Sequence, residues 1–125
     1  MIDFGEFRSH SGILLPWKLE CDDLSDNDIR GLAAIIASKF YFRGVYGIPR
    51  GGNRLANALQ RFSVSHHNYP LLIVDDVMTT GTSMEEAKKE LGKTASNAYG
   101  VVIFSRTNVI PSWIFPFFIV GYEFR

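Results

Sequence analysis

The sequence holds a single cysteine, Cys21, among 125 residues. One thiol cannot close an intrachain disulfide, so the fold must rest on its core, and a reducing, cytoplasmic setting is expected. An excess of charge is missing as well: 13 Lys and Arg stand against 13 Asp and Glu. That balance gives no general basic field, so nucleic acid is not an expected partner. Long apolar runs are also lacking. The most apolar stretch, residues 110–122, is broken by Pro111 and Pro116 and is too short to span a bilayer. It reads as buried core or as an association surface. The opening Met1-Ile2-Asp3-Phe4-Gly5-Glu6 is acidic and has none of the apolar core of a secretory signal. No membrane partner is expected. Internal repeats and low-complexity linkers are absent too.

What is present suits one globular domain over residues 1–125, with 46% apolar residues. Residues 6–10 and 13–20, parted by Ser11-Gly12, read as a two-stranded hairpin or cap. Ser25 is a good N-cap for a helix to about Lys39, with Ile29, Leu32, Ile35 and Ile36 on one face. A strand at 44–48, a turn at 49–52 and a helix at 53–61 follow. Then come a strand at 71–74, a helix at 83–91 ended by Gly92, a strand at 98–104 and another at 117–120. Strands alternating with helices imply an α/β fold. A mostly parallel twisted sheet flanked by helices, with right-handed crossovers, is expected.

The run Leu71-Leu72-Ile73-Val74-Asp75-Asp76-Val77-Met78-Thr79-Thr80-Gly81-Thr82-Ser83 carries the most chemistry. Its apolar start reads as a central parallel strand buried on both faces. Ligands in such sheets bind at the carboxyl ends of strands. Side chains alternate on a strand, but where the chain turns at a strand's end both aspartates can face one ligand. Two carboxylates accept hydrogen bonds from a vicinal diol and bind Mg²⁺ directly or through water. Thr79, Thr80, Thr82 and Ser83 add hydroxyls, Gly81 lets backbone approach closely, and a helix N-terminus attracts phosphate. A Walker A loop is excluded: Gly92-Lys93-Thr94 ends a helix and has Ala87 in place of the first glycine.

A second loop, Gly47-Ile48-Pro49-Arg50-Gly51-Gly52, closes the preceding strand. Arg50 offers a fork of donors suited to phosphate oxygens, and the two glycines allow unusual backbone angles.

The two loops together resemble the type I phosphoribosyltransferases. The resemblance implies phosphoribosyl pyrophosphate (PRPP) as ligand, with Asp75 and Asp76 on the ribose hydroxyls. It puts the 5′-phosphate on Thr79, Thr80, Gly81, Thr82 and Ser83, and the pyrophosphate on Pro49, Arg50, Gly51 and Gly52. Mg²⁺ would be held mainly by PRPP, with Asp75 and Asp76 assisting. Asp75, Asp76 and Arg50 are the implied catalytic residues. A cis Pro49–Arg50 bond is expected, as relatives often have one in this loop.

The N-terminal segment, residues 1–22, is similar to the hood of orotate phosphoribosyltransferases. Phe7 and Trp17 are then base contacts, and His10, where lysine is usual, joins the pyrophosphate set. Thr79 stands where 6-oxopurine enzymes usually carry aspartate, and Arg106 stands near an orotate-contacting arginine. The resemblance thus favours orotate as the base, giving orotidine 5′-monophosphate. The alternatives are a 6-oxopurine transferase, since Arg50-Gly51-Gly52 also resembles bacterial xanthine-guanine enzymes, and a non-catalytic PRPP or nucleotide sensor. Relatives are commonly homodimers. The chain departs from the orotate pattern in two places. Residues 53–69 leave little room for a mobile lid, with only Arg61, His66 and His67 as basic candidates. Thr107-Asn108-Val109 stands where Glu-Gly-Gly is expected.

Overall fold

Helix α1 (Asp26–Lys39) begins where Ser25 can cap it. The Asp28 N–H donates to Ser25 Oγ at 3.0 Å, and the Ser25 N–H donates back to the Asp28 carboxylate at 3.1 Å. This reciprocal box satisfies two N–H groups that the helix cannot. The computed structural model describes residues 24–119. The expected hairpin, Cys21 and the hood residues Phe7, His10 and Trp17 lie outside the described residues. On α1 the buried side chains are Ile29, Ala33 and Ile36. Ile35, expected on that face, is 45% exposed, because the row i, i+4, i+7 meets the sheet and Ile35 sits one step around the helix.

The other elements follow in order. Strand β1 (Gly44–Gly47) leads to α2 (Asn53–Leu59), prolonged by a 3₁₀ turn, Gln60–Phe62. Strand β2 (Leu71–Met78) leads to α3 (Thr82–Leu91), which gives way to a second 3₁₀ turn, Gly92–Ala95. Gly92 ends α3 as expected, at φ +61°. Strands β3 (Tyr99–Ser105) and β4 (Ile114–Ile119) complete the sheet. Two boundaries differ from expectation. β2 continues through both aspartates to Met78. β4 starts at Ile114, well before residue 117, because Pro116 is tolerated on an edge strand.

All four strands are parallel, in the order β1-β2-β3-β4. Leu72, Ile73 and Val74 pair on both sides, Val74 standing opposite Gly47 of β1 and Val101 of β3. Leu72, Ile73 and Val74 are fully buried, as a strand covered on both faces requires. One face packs Leu72, Val74, Val101 and Ile103 against α1 and α2, through Ile36, Leu55 and Leu59. The other packs Ile73 and Val102 against α3, through Met84 and Ala87.

These packings correct the expected handedness. The β1–α2–β2 and β2–α3–β3 crossovers step the same way along the sheet, yet α2 and α3 lie on opposite faces. Two such crossovers have opposite hands, so one carries the rare left hand. The core decides this: Leu55 and Leu59 must share the face of α1. The loops after β1 and β2 therefore leave on opposite sides and part between them. Such a parting is where open α/β sheets hold ligands.

Candidate functional site

Both chemistry-bearing loops sit at this parting. The first follows β1 and is tied to β2: the Ile48 N–H donates to Val74 O at 2.9 Å, and the Gly52 N–H to Ile48 O at 2.8 Å. The Pro49–Arg50 peptide bond is cis, as expected. Two glycines lie in close approach to β2. A Cβ at Gly52 would strike the Val74 carbonyl, and one at Gly51 would strike the Asp76 carboxylate. The Arg50 loop thus lies in direct contact with Asp76. Arg50, Gly51 and Asp76 line a recess of about 60 Å³ together with Arg54 and Leu55 of α2. Arg54 was not singled out by motif; it is brought there by one turn of α2. Its guanidinium also holds Leu24 O at 2.8 Å and Asp26 at 3.1 Å.

The second loop follows β2. The expectation that the chain turns at the aspartates is corrected: β2 runs on, so Asp75 and Asp76 alternate across the sheet. Asp76 joins the Arg50 recess. Asp75 lies on the face of Ile73 and Val102 and lines a separate cavity of about 50 Å³ with Met78 and the loop Thr79 to Ser83. Each carboxylate belongs to one cavity, and the end of β2 runs between them.

Thr79, Thr80, Thr82 and Ser83 are exposed around the second cavity. Gly81 is the N-cap of α3 at φ +88°, and no side chain caps the helix. The Thr80 and Thr82 hydroxyls pair with each other at 2.9 Å, and Thr80 Oγ1 also accepts from the Thr82 N–H at 3.4 Å. The Ser83 and Met84 N–H groups and the positive end of the dipole face the loop, an arrangement suited to one phosphate.

Asp75 is only 8% exposed. Burial pushes its carboxyl up to about 7, and the adjacent Asp76 pushes the same way. The Asp76 N–H, donating to Asp75 Oδ1 at 2.8 Å, works against that shift. Among the described residues no three His, Cys, Asp or Glu side chains converge. Each carboxylate opens on its own cavity, so the oxygen donors present suit Mg²⁺ only as one protein ligand at a time beside oxygens that a phosphate would bring.

Arg106 stands at the rim: its N–H donates to Met78 O at 2.8 Å, beside the start of the Thr79 loop. The basic residues considered for a lid lie elsewhere. The Val64 N–H donates to Phe42 O and the Arg43 N–H to Pro70 O, so residues 63–70 pass beneath the amino ends of β1 and β2. There His66 stacks between Tyr69 and His67, at 4.4 and 5.5 Å. Arg61 lies over its neighbour Phe62. The structure thus separates His66 and His67 from the site by the length of the sheet.

The fold defined by these strands and loops is that of the type I phosphoribosyltransferases. No family model and no curated protein matches the sequence; the likeness is one of structure. Orotate phosphoribosyltransferase from Aeropyrum pernix superimposes with a TM-score of 0.62 at 18% identity, over 93% of this chain and 86% of that one. A Neisseria gonorrhoeae protein with bound ppGpp gives 0.58 at 18% identity, over 83% and 82%. Purine phosphoribosyltransferase from Pyrococcus horikoshii gives 0.55 at 22% identity, over 77% and 85%. At these identities the likeness establishes the fold.

Proposed function

We propose that the protein transfers the phosphoribosyl group of PRPP to a nucleobase, orotate in the first reading, and releases pyrophosphate. The observation that carries this is the pair of cavities at the ends of β1 and β2, each holding one carboxylate. A ribose lying across the end of β2 reaches Asp75 on one side and Asp76 on the other. Its 5′-phosphate then meets the first turn of α3, and its pyrophosphate meets Arg50 and the backbone of Gly51, the Gly52 N–H being held by Ile48 O.

The reaction breaks the C1–O bond, with the electron pair leaving on pyrophosphate, and forms a C1–N bond to the base from the opposite face. The base loses its ring N–H proton to solvent. Arg50 stabilises the charge that grows on the departing oxygens, where a preorganised cation is most effective. The Asp75 and Asp76 carboxylates hold the hydroxyls and lie close to the positive charge that develops on the ribose. Mg²⁺, when bound with PRPP and held by Asp75 or Asp76 directly or through water, adds charge neutralisation at the pyrophosphate.

Orotate is favoured by Thr79, which is no acid or base for a purine, and by Arg106 at the rim, whose cation suits a carboxylated pyrimidine. A 6-oxopurine is the second reading, supported by the likeness to a purine enzyme and by Arg50-Gly51-Gly52. A nucleotide sensor is the third, supported by the ppGpp-bound relative and by the path of residues 63–70 away from the site. A homodimer, in the cytoplasmic setting expected from the sequence, would have the exposed Phe115 and Phe118 of β4 as a contact surface.

Pyrophosphate release from PRPP and Mg²⁺ with a panel of bases separates the three. Release with orotate alone supports the first reading, and release with purines the second. PRPP binding without turnover supports the third. Replacing both aspartates, Asp75→Asn with Asp76→Asn, is expected to abolish PRPP binding; retained binding in calorimetry would overturn the site.

A further inference from the structure

The connection from β3 to β4 returns along α3 and is fastened at three points. At its start the Arg106 N–H donates to Met78 O at 2.8 Å. Midway, Pro111 rests against Gly81, where an added Cβ would lie 3.8 Å from the proline ring. At its end the Trp113 indole lies beside α3, its Nε1–H donating to Glu85 Oε2 at 2.9 Å. The Lys88 ammonium sits 5.6 Å from the centre of an indole ring, within cation–π range. The indole needs a glycine beneath it: a Cβ at Gly100 would lie 2.9 Å from Trp113. The backbone agrees, since the Gly100 N–H donates to Trp113 O at 2.8 Å.

Glu85 belongs to the first turn of α3. That same turn presents the N–H groups of the proposed phosphate cavity. One turn of helix is therefore shared by the phosphate cavity and by the tether of the rim that starts at Arg106. An unheld carboxylate there would also oppose an incoming phosphate, whereas the indole N–H keeps Glu85 turned to the flank.

We infer that Trp113 and Glu85 are positioning residues: their hydrogen bond couples phosphate binding at the Thr79–Ser83 loop to the order of the rim, residues 106–113, that carries Arg106. This rests on the phosphoribosyl reading of the site for the identity of the phosphate, and it adds a link between that subsite and the rim. Phosphate bound at α3 steadies its first turn, and Glu85 passes that order to the return limb through Trp113. Neither residue touches the reacting atoms.

Amide hydrogen exchange, read by mass spectrometry on peptides covering 79–84 and 107–113, tests this. Without ligand, Glu85→Ala is expected to speed exchange at 107–113 about tenfold, the equivalent of one lost hydrogen bond. Glu85→Gln keeps an acceptor and should stay close to wild type, a rescue that loss of packing would not give. Trp113→Phe keeps a ring over Gly100, removes the N–H, and should behave as Glu85→Ala. With ribose 5-phosphate, wild type and Glu85→Gln should gain protection at both segments, and Glu85→Ala at 79–84 alone. Unchanged exchange at 107–113 in ligand-free Glu85→Ala overturns the latch, as does ligand protection of 107–113 that survives Glu85→Ala. Wild type without ligand protection at 79–84 sinks the phosphate reading and the coupling together. The ligand-free comparison then still decides whether Glu85 holds the rim.

Discussion

Asp75 is a carboxyl group that the fold holds in two conflicting ways. Burial favours its neutral form, while the Asp76 N–H favours the charged one, and burial prevails, to about 7. The folded-state value lies above the ordinary 3.8, so between those two pH values the folded protein keeps a proton that the unfolded chain has lost. Stability therefore falls as pH rises across that window and levels off above it. Thermal melts of the ligand-free protein from pH 4 to 8 should show this. Asp75→Asn should remove the slope, matching wild type near pH 4 and exceeding it at pH 8 (the amide keeps an acceptor for the Asp76 N–H). The two loop glycines should part in the same kind of detail. Gly51→Ala meets a side-chain carboxylate that can rotate away, whereas Gly52→Ala meets backbone. Urea unfolding should find Gly52→Ala destabilised by about 1–3 kcal/mol, the usual range for overpacking. Gly51→Ala should stay near wild type in stability but bind PRPP at least tenfold more weakly, since Asp76 is displaced.

At the scale of elements, α3 and its entry loop do the most for the site. A Cβ at Gly81 would make only ordinary contacts, the nearest with Met78 Sδ at 3.6 Å and the Pro111 ring at 3.8 Å, but its φ of +88° suits no L side chain. Gly81→Ala should cost about 1–2 kcal/mol in chemical denaturation through backbone strain alone. It should weaken ribose 5-phosphate binding with it, because the first turn of α3 would start differently. The elements themselves were legible where local chemistry sets them. Ser25 marks the start of α1, Gly92 marks the end of α3, and Pro49-Arg50-Gly51-Gly52 marks the turn before α2. The aspartates hid the true end of β2, since polar residues read as a strand's end. Here they continue it, as β3 alone carries the ladder past Val74 out to Met78↔Ser105. Pro111 and Pro116 similarly hid the start of β4.

For the whole molecule, a ligand that bridges the two cavities must stabilise the parting between β1 and β2. PRPP with Mg²⁺ at a hundredfold excess over Kd should add about 2.7 kcal/mol to unfolding, read as a rise in Tm. Removing Mg²⁺ with a chelator should cut the rise sharply, because the doubly acidic end of β2 would then face unneutralised phosphates. The double Asn variant should show little rise with either.

The sequence by itself determined the parts of the site. Leu71 to Ser83 is at once a buried strand, a carboxylate pair and a hydroxyl-rich loop leading into a helix, and residue order alone places Arg50 one strand earlier. These are local properties of composition and spacing. Tertiary structure decided how the parts face each other. Because Leu55 and Leu59 pack with α1 while Met84 and Ala87 pack on the far face, successive loops leave on opposite sides. The two aspartates are thereby dealt to separate cavities, Arg54 is brought beside Arg50, and His66 and His67 are carried to the far end of the sheet. The Trp113–Glu85 bond belongs to the same class. It joins residues 28 positions apart, a separation that no local pattern encodes and that only packing across α3 can close.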